Sequence, residues 1–165
     1  MDSNHGTMNK ELHFNQLQKT ALTLLQSQGW SGIAPVCELL RAEVPHYHWV
    51  GIYWMNNAEQ ALHLGPFAGA ATEHTRIPYG RGICGQVAMS GEVFEVPDVW
   101  AQDNYLACSM ETKAELVVPI HSKGRLIGQI DIDSHDQNPF GPEDTALLHC
   151  IAEAIGSMPE AELIG

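Results

Sequence analysis

The segment from Glu115 to Asp133 places the tightest constraint on what this chain can fold into. Leu116, Val118 and Ile120 alternate along one apolar run, Ser122-Lys123-Gly124 reverses the chain, and a second run follows with Leu126, Ile130 and Ile132 on one face. Side chains alternate across a pleated strand, so the two runs predict a hairpin with one apolar face that must be covered. Asp131 and Asp133 stand at i and i+2 of the second strand and project from the opposite face. Glu115 opens the first strand on that same face, and the short turn brings it beside the far end of its partner. The plainest reading of three such acids is a solvated sheet face. Under a covering loop, the same acids form a patch that holds an ammonium group or keeps one carboxylic acid protonated as a donor. A hard metal ion is a further option, but no additional oxygen-ligand spacing supports it.

The rest of the chain supplies the cover. Phe14, Leu17, Ala21 and Leu25 follow helical spacing and Gly29 is a stop signal, while Ile33, Val36, Cys37 and Leu40 form a second helical stripe. Residues 1–8 read as a polar leader, disordered or foreign to the natural chain, and residues 9–160 as one domain. Trp49 to Trp54 reads as a strand, Asn56-Asn57 as a turn and Leu62 to Phe67 as the return strand. Gly80 to Gly85 is a glycine-dense loop opening into a short helix, followed by a brief strand at Phe94 to Val96 and a long irregular connection to Met110. Gly141-Pro142-Glu143-Asp144 starts a last helix whose buried stripe is Leu147, Leu148, Ile151 and Ile155. The expected architecture is α+β: a central antiparallel sheet, N- and C-terminal helices on one face, and a pocket under loops on the other.

Charge narrows the partners. The 165 residues carry 8 Lys+Arg against 20 Asp+Glu, a net charge of −12. That disfavours nucleic acid and anionic membranes, which need basic patches. No stretch reaches the roughly 18 apolar residues of a membrane span, and no signal peptide is visible. A cytoplasmic location is therefore expected, with the four cysteines as reduced thiols. Cys37 and Cys150 fall on helices and read as core thiols. Cys84 sits at the start of a short helix, where backbone N–H groups favour a thiolate, and Cys108 lies in the long connection, seven residues before Glu115. Both are candidates for redox or nucleophilic work, the alternative being two inert loop thiols. Trp49, Gly51 and Tyr53 share one strand face. If that face is the acid-bearing one, Trp49 and Tyr53 line the same cavity; otherwise they are core packing. His74, His121 and His135 lack metal-ligand spacing and read as surface residues.

Three runs carry a family resemblance: RIPYGRGICGQVA (residues 76–88), LACSMETKAELVVPI (106–120) and IGQIDIDS (127–134). With WVGIYW (49–54) and LGPFAG (64–69), they resemble a GAF domain and, more narrowly, the free methionine-(R)-sulfoxide reductase family. The resemblance implies a single GAF-type domain with Cys108 as the catalytic cysteine and Cys84 as a resolving cysteine. It implies that Glu115, Asp131 and Asp133 bind the substrate ammonium and polarise the sulfoxide, and that Trp49 packs against the substrate methyl. No bound cofactor or metal is implied; the external reductant is a thioredoxin supplied with electrons from NADPH. GAF domains often dimerise through terminal helices, and the amphipathic N-terminal helices permit a homodimer here. One departure is clear: where many members have a third cysteine, ten residues before Cys84, this chain has His74. Recycling then rests on Cys84 or an external thiol. Rival readings are a non-catalytic GAF ligand sensor and an enzyme of this scaffold acting on another small substrate, possibly with a metal.

Overall fold

The computed structural model describes residues 3–105 and 111–165. Helix α1 spans Ser3–Gln28, so it takes in residues 3–8, which the sequence sets apart as a leader. Phe14, Leu17, Ala21 and Leu25 are its buried stripe, as their spacing requires. Gly29 ends the helix in a left-handed conformation (φ +62°) that a side chain would disfavour. A 3-10 turn then leads into α2 (Ile33–Glu43), which buries Ile33, Val36, Cys37 and Leu40.

Six strands follow: β1 Trp49–Asn56, β2 Ala61–Ala68, β3 Arg76–Pro78, β4 Phe94–Val96, β5 Ala114–Ser122 and β6 Arg125–Ser134. They form one antiparallel sheet in the order β3-β2-β1-β6-β5-β4. The short edge strand β3 is absent from the sequence reading because three residues carry no resolvable alternation. Helix α3 (Gly82–Ser90) lies between β3 and β4, and α4 (Pro142–Gly156) follows β6. Among the described residues no helix is long and apolar enough to cross a membrane.

The sheet divides two apolar layers. Leu116, Val118, Ile120, Ile130 and Ile132 pack with the stripes of α1, α2 and α4 in the larger core. Trp49, Tyr53, Val117, Ile83 and Val87 form the smaller one, under α3. This is the expected α+β architecture, with two corrections. Leu126 does not share the face of Ile130 and Ile132; it packs in the smaller layer, and Ile127 takes its place in the larger. The cause is a register shift: Ile120 opposes Gly128 but His121 opposes Leu126, leaving Ile127 as an extra residue that reverses the alternation. Cys150 is only half-buried, on the flank of α4 rather than in the core.

Asp144 fastens α4 to the entry of β1. Its Oδ2 accepts the Gly141 N–H at 2.8 Å, closing the helix start, while Oδ1 meets His46 Nε2 at 2.7 Å and accepts the Tyr47 hydroxyl at 2.8 Å. Burial alone would raise the Asp144 carboxyl, but the hydrogen bonds from His46, Gly141 and Tyr47 outweigh it and hold the group below its usual range. A depressed carboxyl stabilises the fold above its unfolded value of about 3.9, and that contribution is lost as pH falls through the folded value. Asp144→Ala is expected to cost about 3–5 kcal/mol at pH 7, because it strands buried donors. Denaturant unfolding should show the gap between variant and wild type narrowing below about pH 4; a gap independent of pH would refute the ionic role.

Candidate active site

The sheet register builds the site. Glu115 on β5 stands directly opposite Asp133 on β6, which stands opposite Trp49 on β1. One step along, Val117 faces Asp131, which faces Gly51. The expected convergence of three carboxyls is therefore a consequence of cross-strand pairing over three central strands. They do not lie on a solvated face. Glu115 is 3% exposed, Asp131 0% and Asp133 1%.

Helix α3 closes the site from above. Cys84 falls in its first turn and points down, its thiol donating to Glu115 Oε1 at 3.6 Å. Gln129, also on the acid face of β6 and 1% exposed, donates from Nε2 to the Cys84 carbonyl at 3.2 Å and ties this turn to the sheet. Gln129 went unnoticed in the sequence although it continues the i, i+2 alternation of Asp131 and Asp133. Cys84 Sγ and one carboxyl oxygen each from Glu115 and Asp131 lie within 4.8 Å of one another. This trio is the arrangement among the described residues that could hold a divalent cation, and it is equally a group that can share protons. Burial first, then the negative neighbours Asp131 and Asp133, pushes the Glu115 carboxyl well above the usual carboxylate range. Burial raises Asp131 as well, against the opposing pull of its contacts with Glu115 and Cys84. Glu115 and Cys84 are the groups beside the Asp131 carboxyl, and through them the acid and the thiol can share protons.

Trp49 forms the aromatic wall. Its indole stacks on Phe67 at 5.6 Å between ring centroids and donates from Nε1 to the Ala70 carbonyl at 3.0 Å. Gly51 is what lets the ring lie flat along the strand: a Cβ there would stand 2.2 Å from the indole. Tyr53 is fully buried behind Trp49, and its hydroxyl donates to the His74 carbonyl at 2.8 Å. His74 is half-buried and, contrary to its reading as a surface residue, lines a narrow cleft with Cys84 and Glu115. Cys108 lies outside the described residues.

A second cavity, of about 120 Å³, opens beside Trp49 and Asp133. Arg41, His48, Thr112 and His135 contribute to its wall. Sequence reasoning missed Arg41 and His48 and placed His135 on the surface. These residues come from the end of α2 and from strand ends, which no local pattern connects. A larger cavity, of about 490 Å³, lies between α1 and α4 and contains none of these groups.

The six-stranded antiparallel sheet with its flanking helices agrees with what comparison with known proteins finds. The GAF domain family model matches residues 33–157, and the chain belongs to the GAF domain family. It is 36% identical to the free methionine-R-sulfoxide reductase of Saccharomyces cerevisiae over 91% of this chain and 87% of that protein. It is 32% identical to Protein YtsP of Bacillus subtilis over 94% of each chain. Among solved structures, a free methionine-R-sulfoxide reductase from Neisseria meningitidis in complex with its substrate superposes with a TM-score of 0.84 at 32% identity, covering 91% of this chain and 90% of that one.

The raised acids fix the sign of a stability effect. Carboxyls whose folded values are raised favour the folded state at low pH, and that advantage is lost as pH rises through the raised values. Glu115→Gln cannot ionise at any pH and leaves an amide that can donate to Asp131. Its thermal midpoint at pH 8 should exceed wild type by roughly 2–6 °C, with a smaller gain at pH 5. A lower midpoint at pH 8, measured by calorimetry, would show that the cluster is not under this electrostatic load.

Proposed function

We propose that this protein reduces free L-methionine-(R)-sulfoxide to methionine, using Cys108 as the nucleophile and Cys84 as the resolving thiol. The observation that carries the reading is the buried trio of Glu115, Asp131 and Asp133 with the Cys84 thiol against it, in a chain whose relatives include named free methionine-R-sulfoxide reductases. A buried acid whose affinity for protons is raised is suited to donating one to a sulfoxide oxygen at neutral pH. The neighbouring carboxyls offer acceptors for an ammonium group, which a free amino acid has and a methionine within a polypeptide lacks. Trp49, backed by Tyr53 and Phe67, offers an apolar wall for the methyl group.

The chemistry balances as a two-electron transfer. The Cys108 thiolate attacks the sulfoxide sulfur while an acid of the cluster protonates the oxygen. Oxygen passes to Cys108 as a sulfenic acid and methionine leaves with a reduced sulfur. The Cys84 thiol then attacks the Cys108 sulfur, expelling water and forming the Cys84–Cys108 disulfide. A dithiol reductant of the thioredoxin class reopens it. His74 occupies the position at which a third cysteine would otherwise join this exchange, so the pair works alone.

The test is an NADPH-coupled assay with thioredoxin and its reductase, offered the R and S sulfoxides separately. Wild type should consume the R form and spare the S form. Cys108→Ser should lose at least about 10³-fold in turnover, as expected for removal of a nucleophile. Cys84→Ser should retain one turnover per protein, seen as one equivalent of methionine, but fail to cycle with thioredoxin. Unchanged turnover in Cys108→Ser would sink the proposal.

A further inference from the structure

An α-amino acid carries its ammonium and its carboxylate on one carbon, so the acid that holds the first must stand beside a cation or donor for the second. The cavity of about 120 Å³ next to Trp49 meets this requirement. Asp133 lines it, and so do Arg41, His48, Thr112 and His135. Arg41 is in the last turn of α2, with its Nε donating to the His48 carbonyl at 3.0 Å. That bond fixes the guanidinium group at the cavity while using one of its five N–H donors. His48 and His135 stack at 4.0 Å between centroids with planes 10° apart. His48 Nδ1 accepts the His135 backbone N–H at 2.9 Å, which leaves the His48 proton on Nε2, as a donor. Burial and the neighbouring His135 lower the affinity of His48 for a second proton, so Arg41 is the permanent charge of this group. Glu111 also lines the cavity; its Oε2 lies 3.8 Å from His135 Nδ1.

Resting on the function proposed above, we infer that Arg41, with the His48 donor beside it, binds the α-carboxylate of the substrate, and that this subsite makes the protein selective for free amino acids. The geometry then orients the substrate. Its charged head occupies the cavity beside Asp133, and its sulfoxide extends along the Trp49–Asp133–Glu115 row toward the cleft lined by Cys84 and Glu115. A peptide-bonded or amidated carboxyl leaves Arg41 facing a neutral group in a confined space. Selectivity therefore comes from both charges of the head, and the acids account for only one.

The experiment compares methionine-(R)-sulfoxide with its primary amide, which keeps the ammonium and loses the carboxylate. Both are assayed with wild type, Arg41→Met and Arg41→Lys. Either substitution removes the Nε bond to His48, so that structural loss is common to the two variants and is followed by their thermal midpoints. Wild type should show a KM for the amide about 10–100-fold above that for the free acid, the range for a charge-assisted contact, with kcat within about threefold. Arg41→Met should raise KM for the free acid by a similar factor and leave KM for the amide unchanged, erasing the discrimination. Arg41→Lys should restore part of it. Equal KM values for the two substrates in wild type, or a parallel loss on both in Arg41→Met, would overturn the subsite. Wild type inactive on the free sulfoxide would overturn the function itself and the subsite with it. An active wild type with an unaltered Arg41→Met would overturn the subsite alone.

Discussion

Three carboxyls held out of water within one cross-strand neighbourhood are the feature to which the rest of the structure answers. Desolvation and mutual repulsion both oppose their ionisation, and a fold carries such a cluster only if the surrounding apolar packing outweighs it. Here the opposite face of the same strands supplies that packing. Leu116, Ile130 and Ile132 seal against α1, α2 and α4 directly beneath Glu115, Asp131 and Asp133. One pleated ribbon thus presents its stabilising residues on one side and its costly ones on the other, offset by a single residue.

The cover on the acid side is thinner and more polar. The first turn of α3 rests on the sheet through the Cys84 thiol and through Gln129, and the Trp49 ring lies in space that Gly51 leaves open. The site consequently has two approaches, a cleft by Cys84 and His74 and a cavity by Trp49 and Arg41. Between them runs the row of acids.

How much of this was legible in the sequence follows from the range over which each feature is encoded. The acids were legible because i, i+2 spacing on a strand has only one geometric meaning, and a short turn fixes which ends meet. The helices declared themselves through stripes such as Phe14, Leu17, Ala21 and Leu25. Leu126 was misassigned because a single extra residue near the turn reverses alternation, and the local pattern of apolar residues does not say where it enters. Cys150 was placed in the core because it adjoins Ile151, although a helix of this length presents a flank as well as a stripe. His74, Arg41 and His48 were illegible as site residues, since each reaches the cavity from a different element and only tertiary packing brings them together. The role assigned to Cys108 came from family resemblance, and its residue lies outside the described part of the chain.

The Asp144 bonds bear on how this protein emerges during synthesis. They join residues 97 and 98 positions apart in sequence, tying the start of the last helix to the threshold of the first strand. The β1–β6 pairing that sets Trp49 against Asp133 is nearly as distant. A growing chain can close the β5–β6 hairpin, acids included, with α1 and α2 already available to its reverse side, but that apolar layer stays incomplete until α4 leaves the ribosome. Loop-closure entropy makes such distant pairing slow. Docking of the last helix therefore completes the apolar layer beneath the acid row, while α3, earlier in the chain, covers the row from the other side.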